Sequence, residues 1–327
     1  MLKDNFNRVH DYLRISLTDK CNLRCSYCNP VDLPRGYFTN TTKMSSEEID
    51  IIAGVFVQLG VKKIRLTGGE PLVRKDAKEI IQRLSKYPVE LVITTNGVFV
   101  HEFIESFQQA GIHSVNVSLD TLKRKKNLSI TRRDEFDRIK QNIDLLLENN
   151  FHVKINTVVM KDVNEAEITD FVEWTKDQPV HVRFIEFMPF AGNQWSNEKV
   201  FSHHAMLELI SSKYYFIKLP SEKHDTAKKY FVPGHKGTFA TISTMSQPFC
   251  SSCNRMRLTT DGKMKNCLFS KNEVDILGAL RSGLDIVPLI RQCVWNKKEA
   301  LGGQLSPAYE NIDATKLENR SMINIGG

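Results

Sequence analysis

Apolar positions in this chain recur with two periods. Runs in which alternate residues are apolar lie at Tyr12–Leu17, Lys62–Thr67, Glu90–Thr95, His113–Leu119, His152–Val158 and His181–Phe187. That two-residue period predicts strands. Between them, apolar residues follow a helical spacing over Ser46–Leu59, Asp76–Lys86, Val100–Ala110, Arg132–Asn149 and Glu165–Asp177. Ser45 or Ser46 with Glu48 reads as a helix start, and Gly60 and Gly111 read as helix stops. Six strands alternating with helices predict an α/β fold, an incomplete (β/α)6 barrel of the TIM type. Past about residue 215 the alternation ends, and Thr238–Ser243 reads as a short strand. The expected division is a partial barrel over 1–215 and a C-terminal region over 216–327 that closes the open side.

The strands carry an anomaly. Parallel strands covered on both faces read as nearly continuous apolar runs. Here one parity is polar: Arg14 and Ser16, then Lys63, Arg65 and Thr67, then Thr94 with Asn96, Asn116 with Ser118, Lys154 with Asn156, and Arg183. With the apolar parity on the helices, the polar parity faces the barrel interior. Interior cations are costly unless an anion or water meets them. The other reading, strands wet on one face as in an antiparallel sheet, conflicts with the intervening helices.

The segments after the strands stand on the rim where barrels place their chemistry. Thr67-Gly-Gly-Glu70-Pro follows the second strand; its glycines would let a ligand approach the backbone, and Glu70 offers a carboxylate to an amine. Thr95-Asn-Gly and Ser118-Leu-Asp follow the third and fourth strands.

Composition changes this picture little. Of 327 residues, 41% are hydrophobic and 25% charged, as in an ordinary globular protein. The net charge of +7 is spread thinly, and Lys123–Lys126 reads as a solvated turn. No eighteen-residue apolar run is present, and Met1-Leu-Lys-Asp-Asn-Phe lacks the apolar stretch of a signal peptide. A reducing, cytoplasmic setting is expected. There, seven cysteines read as metal ligands or catalysts rather than disulfides.

Those cysteines fall in two groups of three. Cys21, Cys25 and Cys28 lie just past the first strand; Cys250, Cys253 and Cys267 lie near the end; Cys293 is left over and reads as a buried apolar side chain. A structural zinc wants four ligands, and neither group has a fourth at the usual spacing. Zinc completed by a distant residue stays open, and with it a zinc-stabilised nucleic-acid-binding module. Thiolates also suit iron–sulfur clusters, and a cluster held by three leaves one iron open. Arg255 and Arg257, two apart on an extended backbone, point the same way and suit a phosphate.

The C-x3-C-x2-C loop with Tyr27 before its last cysteine resembles the radical S-adenosylmethionine (SAM) signature. Asp11-Tyr-Leu-Arg-Ile-Ser, Thr18-Asp-Lys-Cys-Asn, Ile64-Arg-Leu-Thr-Gly-Gly-Glu-Pro-Leu, Val115-Asn-Val-Ser-Leu-Asp, Arg183-Phe-Ile-Glu-Phe-Met, the second cysteine group and the Gly-Gly end narrow the likeness. Together they resemble the GTP 3′,8-cyclases of molybdenum cofactor (molybdopterin) biosynthesis, a lyase family of that superfamily.

The resemblance implies two [4Fe-4S] clusters, one on Cys21, Cys25 and Cys28 and one on Cys250, Cys253 and Cys267. The first would cleave SAM to a 5′-deoxyadenosyl radical and the second would bind the guanine of GTP. Arg14, Arg65, Thr94, Lys154, Arg255, Met256 and Arg257 match the family's GTP contacts. Tyr27, Gly69, Ser118 and Met188 match its SAM contacts, with Glu70 beside them. Arg14, Lys154, Gly326 and Gly327 would serve catalysis, the glycines by entering the site. Implied partners are GTP, a downstream cyclic pyranopterin monophosphate synthase and a reductant protein. A homodimer is expected, with no nucleic acid and no membrane. Asn29-Pro30 departs from the family's Met-Pro, and Thr121–Lys126 is unusually basic. A radical SAM enzyme acting on a peptide is the rival within the class, although such enzymes usually carry more cysteines.

Overall fold

The computed structural model describes residues 1–28, 43–306 and 308–326. Asn29, Pro30 and Gly327 fall outside the described residues. The chain begins with β1 (Tyr12–Ser16), α1 (Ser46–Gln58), β2 (Lys63–Thr67), α2 (Ala77–Leu84), β3 (Glu90–Thr95), α3 (Ile104–Gln109) and β4 (Ser114–Ser118). It continues through α4 (Arg124–Thr131), α5 (Phe136–Glu148), β5 (His152–Val159), α6 (Ile168–Asp177), β6 (His181–Glu186) and α7 (His203–Ser211). The last part holds β7 (Ile217–Lys218), β8 (Lys228–Phe231), β9 (Thr238–Ile242), β10 (Arg255–Leu258), β11 (Lys263–Lys265), β12 (Val274–Asp275), α8 (Ile276–Arg281), α9 (Val287–Trp295) and α10 (Met322–Ile325).

Strands β1 to β6 pair in parallel and in sequence order, as the alternation with helices requires. The arrangement is the expected partial barrel. The C-terminal region extends the sheet itself. β10 joins β1 in parallel and β9 joins β6 in parallel, so both edges of the six-stranded arc are continued. One sheet results, in the order β12-β11-β10-β1-β2-β3-β4-β5-β6-β9-β8-β7. Its ends do not pair, so the opening is lined by loops of the C-terminal region rather than by a closing strand.

Local chemistry explains the element boundaries. Ser45 caps α1, accepting from the Glu48 amide while the Glu48 carboxylate accepts from the Ser45 amide. Gly60 follows that helix at φ +100° and Gly111 follows α3 at φ +64°. The stretch Val100–Ala110 breaks at Phe103 into a 3-10 turn and α3. The basic run around Lys123 is a correction to the sequence reading. It is not a turn but the start of α4, which buries Asn127, Ile130 and Thr131. Acidic residues distant in sequence receive its charges: Arg124 pairs with Asp134 at 2.7 Å and Asp137 at 3.0 Å, and Lys126 pairs with buried Glu167 at 2.8 Å. Arg132, at φ +55°, ends α4, so α5 begins later than its periodicity suggested.

The main core lies between the outer face of the sheet and the helices, where Leu13, Ile15, Ile64, Leu66, Val115, Val117, Val153, Ile155, Val182 and Phe184 are buried. A smaller cluster of Phe187, Phe190, Trp195, Met245, Phe269, Leu301 and Ile325 sits at the other end of the strands. Cys250, Cys267, Tyr27 and Met188 pack against it. Cys293 is buried at 3% exposure in the main core. Phe184 is fully buried, with its ring edge-on to Phe171 at 6.2 Å. Phe184→Ala should lower unfolding stability by about 3–5 kcal/mol, the usual cost of removing a core aromatic ring. Urea denaturation measures this as a fall in midpoint.

Candidate active site

The polar parity of the strands does face inward. Tyr12, Arg14, Lys63, Arg65, Thr94, Asn116, Lys154, Asn156, His181 and Arg183 line one cavity of about 760 Å³. The loops of the C-terminal region complete it, bringing Arg255, Arg257, Cys250, Cys253 and Cys267 to the same space. Sheet register dictates the closeness of the cations. Arg14 stands opposite Arg65 on β2 and opposite Arg257 on β10, so three guanidiniums share one row across the sheet.

Few anions answer them. Arg65 donates from Nε to the Tyr12 hydroxyl and from a terminal nitrogen to the Ile93 carbonyl at 3.1 Å and to Thr94 Oγ1 at 3.2 Å. With its amide oxygen turned toward them, Asn116 accepts from Arg65 at 2.8 Å and from Arg183 at 2.5 Å. Arg183 also donates to Asn156. Nε of Arg14 and Nε of Arg183 are buried with no partner. Burial, the Arg65 charge and neighbouring cations pull the Arg14 guanidinium down to about 10. Burial and Arg65 pull Arg183 down to about 9. Burial, then Arg183, Lys63 and Arg65, bring Lys154 down to about 8. Burial raises the Tyr12 phenol, but Arg65, Arg14 and Lys63 outweigh it and hold it at about 7. A cavity with this charge and these unsatisfied donors is built for a polyanion.

Arg257 is 7% exposed and donates to the Gly326 carbonyl. The C-terminal segment therefore reaches the row of arginines. Gly326 has φ +84°, and a Cβ there would lie 2.8 Å from Ser16 Cβ and 2.8 Å from Thr67 Oγ1. Met256 points the other way: its side chain is 1% exposed within the main core, so a side-chain contact with a ligand in the cavity is not available.

The first cysteine group stands on the rim at the end of β1. Cys21 Sγ accepts from the Leu23 amide at 3.4 Å and from Asn96 Nδ2 at 3.7 Å. Burial pushes the Cys21 thiol up to about 11, with Glu70 adding to it, and the Cys28 thiol up to about 12. The Tyr27 hydroxyl donates to Asp120 at 2.7 Å, and Asp120 also accepts from the Val158 amide at 2.9 Å. Ser118 ends β4 two residues before Asp120, and Met188 lines the cavity.

The Gly-Gly-Glu-Pro loop corrects the sequence reading. Part of the reason for glycine at position 69 is internal: a Cβ there would lie 2.4 Å from the Lys20 carbonyl oxygen, although the residue itself is half-exposed. The backbone that approaches is the chain's own, leading into the cysteine loop. Glu70 is 1% exposed and braces the rim, accepting from the Leu72 amide at 3.0 Å, Thr95 Oγ1 at 2.8 Å and the Asn96 amide at 2.6 Å. Burial raises its carboxyl to about 7 despite these bonds.

At the second group, Lys297 donates to Cys253 Sγ at 3.5 Å and the Leu301 amide to Cys250 Sγ at 3.4 Å. Burial would raise the Cys253 thiol, but Arg255 and Lys297 outweigh it and bring it to about 6. His224, which lines the cavity, donates from Nδ1 to the Ser252 carbonyl at 2.8 Å. Among the described residues no three Cys, His, Asp or Glu side chains converge on a single ion. An iron–sulfur cluster does not ask for that, because each thiolate binds its own iron. Half-buried soft donors in threes, with N–H groups set on Cys21, Cys250 and Cys253, fit such a cluster.

Strand parity places Lys63, Asn96 and Arg183 on the interior face without a role; Tyr12, Asp120, His224 and Lys297 were not among the predicted site residues. Tyr12 shares the parity of Arg14, a signal that could have found it. Lys297 lies 44 residues from Cys253, and nothing local marks it.

Comparison with known proteins decides the relationship. Residues 15–175 match the radical SAM superfamily, and residues 180–302 match the family described as Molybdenum Cofactor Synthesis C. The mitochondrial GTP 3′,8-cyclase of Arabidopsis thaliana is 44% identical over 337 residues, covering 100% of this chain and 84% of that protein. The chain belongs to the GTP 3′,8-cyclase family. A GTP 3′,8-cyclase of Thermodesulfovibrio yellowstonii is 43% identical, covering 86% of this chain and 89% of its own length. Molybdenum cofactor biosynthesis protein 1 of Dictyostelium discoideum is 43% identical over all of this chain but only 52% of its own length. The chain thus spans about half the length of the molybdenum cofactor biosynthesis protein 1 relatives it matches. Among solved structures, Streptococcus suis SuiB bound to S-adenosylmethionine has a TM-score of 0.63 at 16% identity, covering 94% of this chain and 78% of that one. That likeness concerns the fold. As a radical SAM protein, this member of the cyclase family uses SAM and an iron–sulfur cluster.

The electrostatics give a pH dependence. From pH 7 to 9 Lys154 loses its proton and Tyr12 gains negative charge, so the cavity becomes less cationic. Affinity for inorganic triphosphate, measured by titration calorimetry, should fall on the order of tenfold over that range, the worth of a charged hydrogen bond. Lys154→Met should flatten the fall; an undiminished slope in that variant would remove Lys154 from the anion site.

Proposed function

We propose that this chain is a GTP 3′,8-cyclase, a radical SAM lyase that converts GTP to 3′,8-cyclo-7,8-dihydro-GTP in the first step of molybdenum cofactor biosynthesis. The observation that carries the reading is the row Arg65–Arg14–Arg257 above one cavity that also receives Cys250, Cys253 and Cys267. It provides cations for a triphosphate and soft ligands for a guanine-binding cluster in a single space.

In this reading the chain holds two [4Fe-4S] clusters, on Cys21, Cys25 and Cys28 and on Cys250, Cys253 and Cys267. Bound at the first site, the cluster and SAM supply the one-electron chemistry that removes hydrogen from ribose C3′ and lets that carbon bond to C8 of guanine. Arg14, Arg65, Lys154, Arg183 and Arg255 take the phosphates, filling the free Nε donors of Arg14 and Arg183. Thr94 and the Met256 backbone complete the nucleotide site. Tyr27, Gly69, Ser118 and Met188 form the SAM site. Glu70 acts there through the loops it braces. The carbonyl of Gly326 holds Arg257 in line with the other arginines, and Gly327 continues that tail. The product goes to a cyclic pyranopterin monophosphate synthase, and a reductant protein supplies electrons. We place the protein in the cytoplasm as a homodimer; among the described residues no helix is long and apolar enough to cross a membrane.

The test is anaerobic reconstitution with iron and sulfide, followed by deoxyadenosine release with GTP, ATP or no nucleotide. Release that rises with GTP and yields a cyclised guanine product is the expected result. Release indifferent to GTP would point to another substrate, a peptide first. Cys28→Ser should abolish release while leaving GTP binding intact. Arg65→Ala should weaken GTP binding by about 1.5–3 kcal/mol, or roughly 10- to 150-fold, because it removes a charged donor. An unchanged dissociation constant in calorimetry would sink that role.

A further inference from the structure

The two cysteine groups differ in the charges around their sulfurs. Buried carboxylates face the first: Glu70 acts on Cys21, and Asp120 on Cys25 and Cys28. The sulfur donors there are neutral, the Leu23 amide and the Asn96 side chain on Cys21 and the Tyr27 hydroxyl on Cys25, and the one cation acting on these sulfurs is the charge of Arg24 on Cys21. At the second group the side chains on Cys253 are cations, the Arg255 guanidinium and the Lys297 ammonium. Lys297 is 3% exposed and gives its charge to Cys253 Sγ at 3.5 Å and to the Arg255 carbonyl at 3.0 Å. A buried ammonium is costly without an anion, and the thiolate is the anion it faces.

The fold holds this segment firmly. Arg8 donates to the carbonyls of Cys250 at 2.8 Å, Glu299 at 2.5 Å and Lys298 at 2.8 Å, tying the Lys297 segment to the cysteine loop. Leu301, at φ +47°, adopts a left-handed conformation that a leucine seldom takes, and from it donates to Cys250 Sγ. Hydrogen bonds to the sulfurs and nearby charge set a cluster's reduction potential. Added positive charge stabilises the state with one more electron.

We propose that Lys297 is a positioning residue for the second cluster: fixed on the Cys253 sulfur, its ammonium raises that cluster's reduction potential and makes the second site the easier of the two to reduce. This rests on the two-cluster reading above.

The experiment uses two full-length proteins reconstituted anaerobically, one with Cys21, Cys25 and Cys28 changed to alanine and one with Cys250, Cys253 and Cys267 changed to alanine. Each isolates one cluster, and its potential is read by a redox titration followed by electron paramagnetic resonance. The second cluster should have the higher potential. Lys297→Met should shift it to a more negative value, Lys297→Gln should shift it less, and Lys297→Arg should restore it. None of these changes should move the first cluster. Equal potentials in Lys297 and Met forms would overturn the proposal, as would a second cluster that is harder to reduce than the first. Loss of the second cluster in every Lys297 variant, arginine included, would make the residue purely structural and also overturn it. If the protein lacking the first three cysteines binds no iron while Lys297 is intact, the two-cluster reading itself fails.

Discussion

Guanidiniums held side by side on the inside of a half-barrel repel one another, and the rest of this site is arranged around that repulsion. Parallel register puts Arg65, Arg14 and Arg257 in one row, and strand pleat aims all three into the cavity. The protein offsets only part of the cost. Tyr12 and Asn116 take some of the donors, and the Gly326 carbonyl takes one from Arg257. The remaining donors, Nε of Arg14 and of Arg183 among them, are left for a ligand. Stability is thereby exchanged for affinity: the same charges that destabilise the empty cavity bind a polyanion when one arrives.

The rim at the strand ends is rigid rather than pliant. Glu70 joins the loop after β2 to the loop after β3, and Asp120 joins the cysteine loop to β5 through Tyr27 and the Val158 amide. The closeness of Gly69 to the Lys20 carbonyl locks the cysteine loop against that frame. Such packing leaves the three sulfurs few ways to move, which suits ligands that must meet separate irons. The second group is held differently, by a long-range tie from Arg8 and by a strained turn at Leu301. The two sites thus combine similar ligands with opposite electrostatic surroundings.

Much of this was legible in the sequence, and for a local reason. Strand parity is a property of the backbone, so alternation alone placed Arg14, Arg65, Thr94, Lys154 and Arg183 inside and their apolar neighbours under the helices. The six parallel strands, the cap at Ser45 and the glycine stops are local signals too, and all are present in the fold. Cysteine spacing likewise marked both groups. What tertiary structure decided involves partners far apart in the chain. The helix that starts at Arg124 pairs two cations of the basic run with Asp134, Asp137 and Glu167. Gly69 serves an approach by the chain's own backbone, and Met256 is turned to the core by the same pleat that aims Arg255 and Arg257 inward. The addition of β9 and β10 to opposite edges of one sheet, and the delivery of Lys297 to Cys253, depend on pairings that no local window contains. Periodicity says which way a side chain points; only the assembled sheet says what it meets.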